Sequence, residues 1–197
     1  GLGSDWVISV DVVGSTIYAA TDNGLSISTN GGTSFINKTT ADGLGNDYVT
    51  KVYVDGSNVY ASTLANGGGG GLSISTDGGT SFTNKTTANG LGSNWVYSMY
   101  VDGSTIYAAT DNGLSISTNG GTSFINKTTA NGLGSNNVYG VTASGSNIYA
   151  ATDNGLSIST NSGTSFTNYT TSNGLGDPMV KGVYLKGSNI YAATYGG

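Results

Sequence analysis

The sequence predicts an all-β chain folded as a β-propeller of four-stranded antiparallel blades, about five of them with the last incomplete. Three observations carry this. A phrase of about forty residues returns in tandem along the whole chain, the period of one propeller blade. Each copy holds four short β-favouring runs separated by Asp-Gly or Asn-Gly reversals. Helix formers are scarce, since the 11 acidic residues are all Asp, the 6 basic ones are all Lys, and Glu and Arg are absent.

The copies span Gly1–Asp42, Gly43–Asn89, Gly90–Asn131 and Gly132–Asn173, with a half unit over 174–197, all read as one repeat domain, 1–197. The second copy is longer because Leu64–Gly70 replaces a short turn. In the third copy the first strand is expected over Val96–Val101, closed by Asp102-Gly103. The second is expected over Thr105–Thr110, ended by Asp111-Asn112-Gly113. Leu114–Ser117 follows, with Leu and Ile alternating with Ser, then Asn119-Gly120-Gly121 turns the chain into Thr122–Thr128. Thr129–Asn136 lacks strand character and is the expected crossover. One such sheet cannot bury both faces alone, so neighbouring sheets must stack. The alternative is a β-solenoid with two coils per unit, whose parallel coils have no need of Asn-Gly reversals.

The first two strands occur once more often than the last two. With the first strand innermost, inner hairpins would ring a channel and the last blade would present an unpaired edge. Its cover is expected from further sequence, a chain terminus or another protomer, and the last would make the chain an assembly subunit. The sequence does not begin with Met and shows no signal peptide, so it reads as a mature or excised piece of something longer.

Composition narrows function. Only 9% of residues are charged, and the net charge of −5 opposes nucleic-acid binding, which needs clustered cations. No apolar run approaches the roughly 20 residues of a membrane span. A polar, weakly charged Thr/Asn/Gly-rich surface points to a secreted or cell-surface protein.

The third-to-fourth-strand reversal reads Ser75-Thr76-Asp77-Gly78-Gly79-Thr80-Ser81-Phe82. This resembles the Asp-box of BNR-type repeats, Ser-x-Asp-x-Gly-x-Thr followed by an aromatic. The other copies are Ser28–Phe35, Ser117–Phe124 and Ser159–Phe166, with Asn30, Asn119 and Asn161 in the place of Asp77 and Phe where the family has Trp. In physical terms, a short Asp or Asn accepts hydrogen bonds from its own turn, so a structural role is expected for all four. The phrase GLGSNWVYSMYVDGSTIYAATDNGL is similar to the repeat of two-component-regulator sensor propellers. Both resemblances imply the fold and leave the activity open.

A sialidase-like activity, which the Asp-box resemblance brings to mind, would imply an Arg triad and a Tyr–Glu pair, and this chain has neither Arg nor Glu. Generic glycoside hydrolysis needs two carboxylates flanking the bond. Here Asp22, Asp111 and Asp153 share one repeated turn, Asp55 and Asp102 another, and Asp5, Asp47 and Asp177 the crossover; Asp11 stands alone. Ser–His–Asp, Cys–His and zinc sites are excluded by the missing His and Cys. Gly67–Gly71 lacks the Lys of a phosphate loop, and one carboxylate per Asp-Asn-Gly turn is too little for tight Ca²⁺ binding. No catalytic residue, metal or cofactor is expected, and the chain is read as a non-enzyme.

A binding site is expected where the copies diverge. Trp6, Tyr48, Trp95, Asn137 and Met179 align at the start of the first strand, followed two residues later by Ile8, Thr50, Tyr97, Tyr139 and Lys181. In a propeller this position lies near one mouth of the channel. The candidate ligand-binding residues are Trp6, Tyr48, Trp95, Tyr97, Asn137, Tyr139 and Met179, aromatics suited to stacking on sugar rings. The competing reading packs them between blades, since alternation puts Trp95, Tyr97, Met99 and Val101 on one strand face. Asn37, Asn84, Asn126 and Asn168 each begin an N-x-T glycosylation acceptor sequence. The expected function is non-catalytic adhesion or structural assembly at a surface, as a filament or array subunit. Its partners would be itself or other surface proteins, and the alternative is a multivalent lectin-like propeller that binds glycans.

Overall fold

The computed structural model describes residues 1–196 except Asn66. Among the described residues there is no α-helix, and the strands form five antiparallel sheets. The first sheet joins β1 (Val7–Val13), β2 (Thr16–Thr21), β3 (Gly24–Ser28) and β4 (Ile36–Lys38). The second joins β5 (Val49–Asp55), β6 (Asn58–Thr63), β7 (Gly71–Ser75) and β8 (Thr83–Lys85). The third holds β9 (Val96–Asp102), β10 (Thr105–Thr110), β11 (Gly113–Ser117) and β12 (Ile125–Lys127). The fourth holds β13 (Val138–Ser144), β14 (Asn147–Thr152), β15 (Gly155–Ser159) and β16 (Thr167–Tyr169), and the fifth only β17 (Val180–Lys186) and β18 (Asn189–Thr194). Strands pair in chain order by hairpins, which excludes parallel solenoid coils. This is the blade arrangement of a β-propeller, with the last blade two-stranded.

The chain divides into two compact units, Gly1–Ala88 with Asn94–Val96, and Asn89–Ser93 with Tyr97–Gly197. In the first unit, β2 and β3 send Tyr18, Ala20, Leu25 and Ile27 into one core with Val49, Val52 and Val54 of β5, Val59 and Ala61 of β6, Leu44 and Phe82. Alternate residues of β2 and β6 thus point in opposite directions, as period-two geometry requires. Val52 and Val54 are 3% and 7% exposed, whereas their repeats Val10 and Val12 are both 55% exposed. The covering sheet, and not the strand sequence, turns this face into core.

The second unit repeats the scheme. Tyr107, Ala109, Leu114 and Ile116 meet Val138, Val141, Ala143, Ile148, Ala150, Leu133 and Phe166. Ala151 and Leu156 meet Val180, with Leu175, Val183 and Ala192 packed against them.

Several local expectations are corrected. The first hairpin does not turn at Asp-Gly: Asp55 pairs with Asn58 and Ser144 with Asn147, so the two-residue loops are Gly56-Ser57 and Gly145-Ser146. Gly56 and Gly145 take φ of 60° and 57°, which places Gly first in the loop. The fourth strand is shorter than Thr122–Thr128, because Asn119 to Phe124 is spent on the turn and only Ile125–Lys127 pairs. The crossover holds a 3₁₀ turn over Thr129–Asn131, capped by the Thr128 hydroxyl and closed by Gly132 at φ 95°.

The alternating Ser of the third strand do not face water. Ser26, Ser73, Ser115 and Ser157 are fully buried, because these strands are covered on both faces. Each is held by one polar clasp per blade. In the third blade, Ser115 Oγ accepts from Gly92 N (2.9 Å) and donates to Asn126 Oδ1 (3.0 Å). Asn126 Nδ2 donates to Asn112 O (2.7 Å), and Asn112 Nδ2 donates to Gly92 O (3.0 Å). The crossover is thereby tied to the strands it precedes. A Cβ on Gly92 would meet Asn126 Nδ2 at 2.5 Å, which explains the glycine.

Candidate ligand-binding site

The divergent position is a β-bulge. In the first strands of the first, second, fourth and fifth blades the register slips at Val7/Ser9, Val49/Lys51, Val138/Gly140 and Val180/Gly182. Ile8, Thr50, Tyr139 and Lys181 are the extra residues. A bulge leaves one residue outside the ladder and re-aims its side chain. In the third blade the buried positions are Val96, Met99 and Val101, whereas Tyr97 is half-buried and Trp95 is exposed, which corrects the expectation that Trp95, Tyr97, Met99 and Val101 share a face. Buried positions along the first strand are three residues apart across the bulge, as in Val138 and Val141, so the bulged side chains leave the packing face. Simple alternation could not reveal this.

In the second unit the bulge residues Tyr139 and Lys181 meet each other and Tyr97. The Tyr97 and Tyr139 rings lie 5.5 Å apart at 45°. Lys181 Nζ stands 3.6 Å from the centroid of Tyr139 and 5.8 Å from that of Tyr195. Tyr139 donates its hydroxyl hydrogen to Asp153 Oδ1 (3.0 Å) and accepts from Asn137 Nδ2 (3.1 Å). The Asn137 Oδ1, itself buried, has no hydrogen-bond partner among the described residues. Burial raises the Tyr97 hydroxyl pKa, helped by Asp111, Tyr139 and Asp153. Burial also raises that of Tyr139, followed by its bond to Asp153. Both phenols therefore stay neutral, and the field around them is acidic. The sequence reading missed Lys181, Asp153 and Tyr195 as members of this row. Lys181 was visible at the divergent position; Asp153 and Tyr195 come from other strands and turns.

The remaining candidates stand as follows. Trp6 is 64% exposed and Trp95 37%, and Tyr48 is half-buried. Met179 uses its backbone, donating to Asp177 Oδ1 (2.8 Å) and accepting from Tyr195 N (2.9 Å). Thr50 donates to Val96 O (2.9 Å).

The four turn residues act on their own loops. Asp77 accepts from Ser75 Oγ (2.7 Å), Ser81 N (3.0 Å) and Ser81 Oγ (2.7 Å), bonds that hold its carboxyl far below the usual range. Asn30, Asn119 and Asn161 repeat the bonds to the preceding Ser and following backbone. Asp11, which stood alone in the sequence, accepts from Val54 N (2.7 Å) and so ties the first blade to the second. Asn37, Asn84, Asn126 and Asn168 all sit in the clasp, with Nδ2 donating to Asn23 O, Gly70 O, Asn112 O and Asn154 O. A glycan there would have to be attached to an amide already committed to the fold. Among the described residues no group of His, Cys, Asp or Glu has the geometry to hold a metal, and no helix is long and apolar enough to cross a membrane.

No protein family and no curated protein matches the chain. Solved structures do. The extracellular domain assigned to the hybrid two component system BT3049 of B. thetaiotaomicron is 20% identical, with a TM-score of 0.79 over 98% of this chain and 28% of its own. An ancestral GH74 enzyme is 25% identical, with a TM-score of 0.71 over 95% of this chain and 27% of its own. PorZ, a surface component of the type-IX secretion system of Porphyromonas gingivalis, is 14% identical, with a TM-score of 0.66 over 96% of this chain and 25% of its own. The chain thus spans about a quarter of each of these proteins. Sheet order, hairpin connectivity and these likenesses agree that the chain has the β-propeller fold.

Proposed function

We propose that this chain is a non-catalytic recognition module of an extracellular or cell-surface propeller, acting in adhesion or structural assembly. One observation carries the reading. The clasp, the turn and the core hardly change between copies, while the bulge position (Ile8, Thr50, Tyr97, Tyr139, Lys181) and the position two residues before it (Trp6, Tyr48, Trp95, Asn137, Met179) vary along the chain. Side chains that the scaffold does not need are free to serve a partner. The similar structures include an extracellular domain and a surface component, which supports that location. A GH74 enzyme shares the fold, but Asp77 is taken up by its own turn, Asp11 by a tie between two blades and Asp153 by the Tyr139 hydroxyl, structural roles that favour the non-catalytic reading. The exposed Val10 and Val12 face supports assembly, being the kind of surface that a further sheet covers.

The second reading is a multivalent carbohydrate-binding propeller, favoured by the exposed indoles of Trp6 and Trp95 and by the Tyr97–Tyr139 pair. A glycan and surface-protein array probed with the wild type and with Tyr97→Ala, Tyr139→Ala and Trp6→Ala tests both. Loss of a specific signal with an unchanged Tm supports recognition at the bulge row. No signal for any form, together with a Tm lowered by each substitution, refutes it in favour of packing.

A further inference from the structure

We propose that the Tyr139–Tyr195 face is a site for an organic ammonium group, occupied in this structure by the chain's own Lys181. The inference rests on the reading of the bulge row as a ligand surface and names its ligand. The ammonium of Lys181 lies over the Tyr139 ring at 3.6 Å with the Tyr195 ring on it at 5.8 Å, so the geometry already holds the group. An aromatic face attracts a cation through its quadrupole. Tyr139 is fixed in orientation by Asp153 on one side of its hydroxyl and Asn137 on the other. The surroundings carry a surplus of acceptors: the Asp153 carboxylate, the Asp111 carboxylate that acts on Tyr97, and the undonated Asn137 Oδ1. Against these stands the ammonium of Lys181.

Lys181 is exposed and sits on a flexible stem, and the same position in other copies holds Ile8, Thr50, Tyr97 or Tyr139, so the fold does not require it. It therefore acts as a tethered competitor. An incoming ammonium displaces it, takes the ring face and the carboxylates, and any attached apolar or polyhydroxyl body lies along Tyr97. Two sources share this chemistry, protonated amino sugars and quaternary ammonium head groups.

The test is calorimetric titration of the full chain, at constant ionic strength, with glucosamine oligomers, with N-acetylglucosamine oligomers and with tetramethylammonium chloride. The wild type is expected to bind the two cationic ligands weakly and the acetylated one not at all. Lys181→Ala should bind the cations several-fold more tightly, and Asp153→Asn several-fold more weakly, each variant being compared with the wild type after circular dichroism shows an unchanged fold. Binding of glucosamine alone assigns an amino sugar; binding of tetramethylammonium as well assigns the ammonium group by itself. Equal affinity in wild type and Lys181→Ala, or no cation binding by either, overturns the proposal. Acetylated oligomers binding as well as glucosamine would also overturn it, yet would leave the bulge row standing as a ligand surface.

Discussion

Removal of one clasp amide is the most direct probe of how this fold is held. Asn126→Ala deletes the acceptor for Ser115 Oγ at 3.0 Å and the donor to Asn112 O at 2.7 Å. Each hydrogen bond contributes about 1 kcal/mol net, and a buried hydroxyl left without its acceptor costs about 1–2 kcal/mol more. Ser115 is fully buried, so water cannot replace the lost partner, although its Oγ still accepts from Gly92 N. The sum is about 3 kcal/mol, and for a chain of this size that lowers Tm by about 6–12 °C. Differential scanning calorimetry reads this against Thr122→Ala, which loses only an exposed bond to Asn119 O and should shift Tm by no more than about 2 °C. An Asn126→Ala shift no larger than that of Thr122→Ala would refute the clasp as a source of stability.

Two further outcomes follow from local geometry. The Asp77 carboxyl is held below its ordinary value by bonds from Ser75 and Ser81. Its stabilising contribution is therefore complete above the unfolded pKa and fades as pH falls below it, so Asp77→Asn, which copies Asn30, should flatten the acid limb of a stability–pH curve measured by urea unfolding. Gly132 closes a 3₁₀ turn at φ 95°, and a Cβ there would run into the backbone oxygen of Phe166. Gly132→Ala should cost about 2–3 kcal/mol or more, whereas Gly120→Ala, at φ 67° with open space around it, should cost about 1 kcal/mol, both read from urea midpoints.

The candidate site was legible only in part. Divergence among near-identical copies picked out Trp95, Tyr97, Asn137 and Tyr139, because side chains without a scaffold role are the ones free to differ. Their surroundings were hidden. A bulge adds one residue without leaving a periodic trace, so alternation put Tyr97 on the same face as Met99, whereas the buried positions of that strand are Val96, Met99 and Val101 with Tyr97 only half-buried. The burial of the third-strand Ser was not legible either, since Ser115 gains its partners from Gly92, 23 residues earlier, and from Asn126, 11 residues later.

By itself the sequence determined the repeat, the four strands per copy, the turn-forming role of Asn30, Asp77, Asn119 and Asn161, and the absence of Arg, Glu, His and Cys chemistry. These depend on local residue types and short spacings, which a linear reading contains. The tertiary structure alone decided which face of each sheet is core, as the contrast between Val52 and Val10 shows. It alone also placed Lys181 over Tyr139 and beside Tyr195. Burial and side-chain encounter are set by what a neighbouring sheet brings to the surface, and residues tens of positions apart become neighbours only after the sheets have stacked.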